Sequence, residues 1–221
     1  AIKCLAAAGT AFSFALIAIL SFALIPTAFG RSFIRGTTGP VEGRKASDLT
    51  IENSLPVLNL LVDGWEKSSQ TEKLNVLQTI ANIEVNYLGI PHEVTVGLSV
   101  MDSSEVAEYI DRTHSIRVNM DDLTAGDTDT LLESICHEMY HCLEYRVVDA
   151  YQQADPELKN LYMFKVFHAK KYENEFQNYQ SGKEGFTAYY DQSCEKDARS
   201  YAQSRKIVYL QEMGVLSEPE D

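Results

Sequence analysis

Positive charge is scarce in this chain: 19 lysines and arginines face 32 aspartates and glutamates, for a formal net charge of −13. The deficit is unevenly spread. Residues 1–46 carry Lys3, Arg31, Arg35, Arg44 and Lys45 against Glu42, a net of +4, which leaves −17 for residues 47–221. An acidic domain repels phosphate backbones and forgoes the electrostatic term that drives nucleic-acid binding, so no nucleic-acid partner is expected. Cysteine is also sparse. Of the four, Cys4 lies in an apolar stretch, while Cys136, Cys142 and Cys194 fall in the acidic part, an odd number that does not indicate a disulfide-stapled scaffold. They read as small apolar residues of packed helices, although each stands beside a candidate metal ligand. Internal repeats and low-complexity tracts are absent beyond residue 46. What is present, 221 residues with 45% hydrophobic side chains, suffices for one domain with a core plus an appendage.

Charge is missing altogether from Cys4 to Gly30. At about 1.5 Å rise per residue that run is long enough to cross a hydrocarbon core of roughly 30 Å, and residues 1–30 are expected to be a transmembrane helix or signal anchor. A cleavable signal peptide is the rival reading, with Ala28-Phe29-Gly30 as its small-x-small site. Residues 31–46, with Gly36, Gly39, Pro40 and Gly43, have the composition of a linker, and the domain is expected to span 47–221. Arg31, Arg35, Arg44 and Lys45 would place it in the cytoplasm by the positive-inside rule. Cations ahead of Lys3 would reverse that count, and the expectation for this single-pass protein leans extracytoplasmic, with the side left open.

Apolar spacing predicts helices over Leu55–Trp65 and Thr71–Leu88, the second stopped by Gly89-Ile90-Pro91. Glu93–Val100, Ala107–Asp111 and Ser115–Asn119 read as strands of a small antiparallel meander. A helix follows over Leu131–Val148, with caps in Asp127–Thr130. Asp155-Pro156-Glu157 should open another, running to Tyr179, and a last one should run from Phe186 to Met213. The expected fold is α+β, mostly helical, with a small sheet.

His137-Glu138-Met139-Tyr140-His141 has the form H-E-x-x-H. On a helix, positions i and i+4 lie one turn apart on one face, so both imidazoles can reach one Zn²⁺ ion, and Glu138 borders it as a candidate general base. A catalytic zinc takes three protein ligands and leaves a fourth position for water. Candidates for the third are His168, His114, His92, the cysteines and many carboxylates. Glu195 stands out, because Ala198 and Ala202 follow at i+3 and i+7 and let its helix pack closely. Asp191, four residues earlier, is a rival ligand or a hydrogen-bonding partner for a ligand histidine. Tyr189, Tyr190, His168 and Arg199 are candidate donors to a developing oxyanion.

H-E-x-x-H followed by Glu195, Asp197, Ala198, Tyr201 and Ala202 in an E-x-[DE]-A-x-x-[FY]-A helix resembles the gluzincin metallopeptidases, with the ImmA/IrrE-type family closest in pattern. The likeness covers roughly Glu93 to Ala202, and Arg199 stands where that family often has Asn. The resemblance implies a zincin-like domain with one Zn²⁺, His137, His141 and Glu195 as ligands, Glu138 as base and a peptide or protein substrate. It also implies an edge strand ahead of the site helix that pairs with the substrate backbone. The expected activity is peptide-bond hydrolysis at a membrane-tethered site; the alternative is a zincin-fold binding or sensor module without turnover.

Overall fold

Thr50 opens the first helix, α1 (Ile51–Leu58), by accepting the Asn53 backbone N–H at 3.2 Å. The computed structural model describes residues 49–217, apart from residues 126 and 184. The uncharged run Cys4–Gly30 lies outside the described residues, and within them no helix is long and apolar enough to cross a membrane. Pro56 sits inside α1, and the α-helix expected to reach Trp65 gives way after Leu58 to 3₁₀ turns at Asn59–Leu61 and Trp65–Lys67, with Gly64 between them at φ 127°. A capping box starts α2 (Gln70–Leu88): the Ser69 hydroxyl accepts from Glu72 N, and the Glu72 carboxylate accepts from Ser69 N at 2.8 Å. Gly89, in the left-handed region at φ 67°, ends it where the sequence places the stop.

The three strands fall where expected, as β1 (Thr95–Ser99), β2 (Ala107–Ile110) and β3 (Ser115–Asn119). Their pairing corrects the meander. The order is β1-β3-β2, with β1 parallel to β3 (Thr95 opposite Ser115) and β2 antiparallel to β3 (Ala107 opposite Val118), so the sheet is mixed. Burial selects the centre: Ile116 and Val118 of β3 are completely buried, while no residue of β1 is, and β2 buries only Tyr109. The strand with the most apolar surface to hide takes the middle, leaving β2 as an open edge.

After the short α3 (Met120–Ala125), Asp127 caps α4 (Thr128–Gln153) by accepting from Thr130 N at 3.0 Å. Leu131, Leu132, Ile135 and Met139 of α4 enter the core with Val76, Leu77 and Ile80 of α2. The helix expected from Glu157 to Tyr179 is broken into a 3₁₀ turn at Leu158–Asn160, α5 (Tyr162–Val166) and α6 (Ala169–Gln177), with Leu161 extended and His168 left-handed at φ 51°. Packing explains the breaks. The pieces turn to bury Phe164 edge-on to Tyr151 at 5.3 Å and Tyr172 beside Val148.

The helix expected over Phe186–Met213 is likewise two, α7 (Phe186–Asp191) and α8 (Ser193–Glu212), separated by an extended Gln192. The break has a function in the fold. Gln192 exchanges two 3.0 Å hydrogen bonds with the Gln180 backbone, and the Glu175 carboxylate of α6 accepts from Ser193 N at 2.9 Å and Cys194 N at 3.0 Å. Those N–H groups would be engaged inside a continuous helix; here a carboxylate on a neighbouring helix caps the N-terminus of α8. Ala198 and Ala202, both fully buried, then allow α8 to lie close along α4.

Candidate metal centre

On α4, His137 and His141 present their imidazoles one turn apart, with Nε2 atoms 3.0 Å from each other. The first turn of α8 brings Glu195 against them: Oε2 lies 3.3 Å from His137 Nε2, and Oε1 3.4 Å from His141 Nε2. Arms of about 2.0–2.1 Å in tetrahedral array give ligand-to-ligand edges of about 3.3 Å, so donors spaced 3.0–3.4 Å, with one Glu195 oxygen towards each imidazole, are close enough to share one ion. Glu195 is 1% exposed and its Oε2 makes no hydrogen bond, although it lies within ion-pair distance of His137. That oxygen faces His137 and, at 3.6 Å, the Arg199 guanidinium without a hydrogen bond from either, and a shared metal would supply the missing partner. The donor set, two imidazole nitrogens and a carboxylate, fits a divalent metal. Among the described residues, no other group of three His, Cys, Asp or Glu side chains converges in this way.

Burial alone would raise Glu195, yet contact with the two imidazoles holds its carboxyl far below the ordinary range. His141 is pulled the opposite way from its neighbours: burial lowers it, but Glu144 and Glu195 together keep it well above the usual imidazole value. Glu144, one turn beyond His141 and 1% exposed, meets His141 Nδ1 at 2.7 Å. Burial pushes this carboxyl up to about 7, against the opposing pull of His141. The contact fixes which ring nitrogen faces the metal site. Replacing Glu144 with Leu, which has no acceptor for His141 Nδ1, should therefore weaken metal affinity about 10- to 100-fold, measured by competition with a chelating dye. An unchanged affinity would show that the contact does not orient the ring.

Comparison of this chain with known protein families, with curated proteins and with solved structures finds no match. The site must be read from its own geometry: a helical domain with His137, His141 and Glu195 close together, compatible with an H-E-x-x-H centre and able to hold one metal ion.

Glu138 borders the triad and accepts a 2.7 Å hydrogen bond at Oε2 from Tyr109 N on β2. Burial raises its carboxyl, with His137 and His141 pulling back. It lines a cleft of about 900 Å³ whose walls are the Ser104–Tyr109 segment, the face of α4 around Ser134 and His141, and aromatic side chains between Phe176 and Tyr189. Lys183 joins two of these walls through Glu105 at 3.1 Å.

Among the candidate donors, Tyr189 lines this cleft, and burial followed by the Glu195 charge raises its hydroxyl. Arg199 lies 3.6 Å from Glu195 Oε2, with its guanidinium over the Tyr190 ring. Tyr190 is itself 46% exposed and does not line the cleft. His168 is outside the site, paired with Asp197 at 3.1 Å. Asp191 lies apart from the triad: it precedes the extended Gln192, outside α8, and pairs with Lys196 at 2.8 Å on the surface. His92 and His114 stack on each other at 3.7 Å, with His92 Nε2 3.6 Å from Cys142, apart from the triad. Cys136, Cys142 and Cys194 are free and buried.

Three residues at the site carried no weight in the sequence reading. Tyr179, on the cleft wall, donates to Glu195 Oε1 at 2.6 Å, Glu175 caps the helix that presents Glu195, and Glu144 orients His141. Only Glu144 had a local signal, its i+3 spacing from His141 on one helix.

Proposed function

We propose that this chain is a membrane-tethered zinc metallopeptidase of the gluzincin type, closest in pattern to the ImmA/IrrE-type family, with residues 4–30 as its anchor. The observation that carries the reading is the convergence of His137, His141 and Glu195 within 3.0–3.4 Å beside Glu138, on the wall of an open cleft. Two imidazoles and a carboxylate are a donor set that would hold Zn²⁺ at the wall of the cleft. When bound, the ion supplies Lewis acidity that polarises a scissile carbonyl and makes water acidic enough to be activated near neutral pH.

The remaining chemistry belongs to the protein. Tyr109 N–H holds Glu138 Oε2, which leaves Oε1 to take a proton from the attacking water and pass it to the leaving amine. Burial makes this carboxylate a stronger base than one in solvent. The open edge of β2 lies beside Glu138, so an extended peptide can add there as a further strand, its register set by side chains along the cleft. Tyr189, on the cleft wall, supplies a hydroxyl donor for the oxyanion, while Tyr179, whose hydroxyl donates to Glu195 Oε1, holds that carboxylate. Arg199, whose guanidinium is committed to the Tyr190 carbonyl and ring, keeps Glu195 in place instead. A binding module that used the same triad would retain metal without turnover; the accessible cleft over a buried, raised carboxylate favours the enzyme.

The reading predicts that the purified chain cleaves members of a diverse peptide library, that 1,10-phenanthroline stops the cleavage, and that added Zn²⁺ restores it. Cleavage indifferent to the chelator would contradict it.

A further inference from the structure

Fourteen lysines and arginines lie beyond residue 46, since five of the chain's 19 precede it. Seven of them form ion pairs with carboxylates: Arg117, Arg146, Lys183, Lys196, Arg199, Arg205 and Lys206. Lys73 is buried and donates to the Leu123 carbonyl. Six cations remain without a carboxylate partner among the described residues, and four of the six, Lys159, Lys165, Lys170 and Lys171, line one hollow of about 400 Å³. No carboxylate lines it; the aromatic rings of Tyr151 and Phe164 contribute to its walls. In a domain carrying −17, free positive charge is thus gathered on one segment.

The same segment exposes apolar surface. Leu158 is 48% exposed, Leu161 45% and Tyr162 79%, all between Lys159 and Lys165 or next to them in the chain. Lysines without carboxylate partners, one of them, Lys159, over the Tyr151 ring, interleaved with exposed Leu and Tyr are the composition of a surface that meets lipid headgroups, with cations on the phosphates and the apolar and tyrosyl groups at the headgroup level. An acidic peptide would satisfy the lysines but gives no reason for the exposed apolar groups among them.

We propose that the 158–171 segment is a docking surface for an anionic bilayer, which lays the acidic domain against the membrane. The proposal rests on the tether of the preceding section for proximity. Residues 31–48 reach at most about 65 Å fully extended, so a domain anchored through residues 4–30 cannot move further than that from the headgroups. Each lysine near an anionic leaflet adds to the attraction, and four together can hold a domain that is already confined. The net negative charge of the rest of the domain, repelled by the same leaflet, leaves this segment as the face that turns towards it.

The test is the rate of lysine acylation, read by mass spectrometry, for the full chain with vesicles of phosphatidylcholine alone or with about 30% phosphatidylserine. With the anionic lipid, labelling of Lys159, Lys165, Lys170 and Lys171 should fall at least about threefold, labelling of Lys67 should stay constant, and 1 M salt should restore the rate. The triple variant Lys165→Glu/Lys170→Glu/Lys171→Glu, which breaks no ion pair, should abolish the lipid-dependent protection of Lys159. Equal labelling in both vesicles, an equal fall at Lys67, undiminished protection of Lys159 in the variant, or equal protection by inorganic phosphate alone would each overturn the proposal. Failure of the full chain to associate with phosphatidylcholine vesicles would instead refute the tether. The phosphatidylserine dependence of labelling would still be read from the same chain added to anionic vesicles, where its absence overturns the docking surface.

Discussion

Replacing Glu138 with Gln should lower peptide cleavage about 10²- to 10⁴-fold while the protein keeps its metal, because the substitution removes a proton acceptor and leaves the ligands in place. The amide has nearly the shape of the carboxylate and retains an oxygen to accept the Tyr109 N–H, which now meets Oε2 at 2.7 Å. Structure and metal content should therefore be spared and the loss confined to turnover. Measured as kcat on a cleaved library peptide alongside zinc content, the combination separates the base from the ligands: Glu195→Ala should lose metal, Glu138→Gln should not. Full activity in Glu138→Gln would remove Glu138 from the mechanism.

The largest expected effect on stability lies away from the cleft. Glu84 of α2 is fully buried and receives Arg205 Nη2 at 2.7 Å, Arg205 Nε at 3.0 Å, Tyr209 OH at 2.9 Å and a hydrogen bond from Tyr201 OH. These donors come from α8, the helix that presents Glu195 about two to four turns earlier. Arg205→Met removes the only formal positive charge in the group and strands a carboxylate in the core. It should cost about 3–5 kcal/mol in urea unfolding, since breaking a buried pair leaves its desolvation uncompensated. Glu84→Leu combined with Arg205→Met should recover much of that loss, because no buried charge remains. A single-variant cost under about 1 kcal/mol would show that the pair is solvated. The network also fixes how α8 sits on α2, and through α8 the position of the third ligand.

Local chemistry foretold the elements whose ends it controls. Ser69 and Glu72 begin α2, Gly89 ends it, Asp127 begins α4, and the H-E-x-x-H spacing places two imidazoles on one face whatever the rest of the chain does. Glu195 was legible too, through Ala198 and Ala202 at the spacing of a close helix contact. Strand positions followed from alternation, but pairing did not: that β3 takes the centre depends on what Ile116 and Val118 pack against, which is set by α2 and α4. Nor was the division at Gln192 visible, since the residues from Phe186 to Met213 have continuous helical spacing, and the break is stabilised by Glu175 and Gln180, more than ten residues away in sequence. The position of Asp191 apart from Glu195 follows directly from it, because counting along one helix does not hold across a bend. Tyr179 reaches Glu195 from the loop after α6, a contact that exists only once α6, α7 and α8 have folded against each other.

The central claim is that His137, His141 and Glu195 hold one catalytic metal ion. Its most direct test is elemental analysis of the chain purified without chelators, beside Glu195→Ala prepared identically. One zinc per chain in the first and less than about a tenth in the second is the predicted result, because loss of one of three ligands removes the charged member of the site. A folded wild-type chain that takes up no metal even when zinc is supplied, or an equal zinc content in Glu195→Ala, would contradict it.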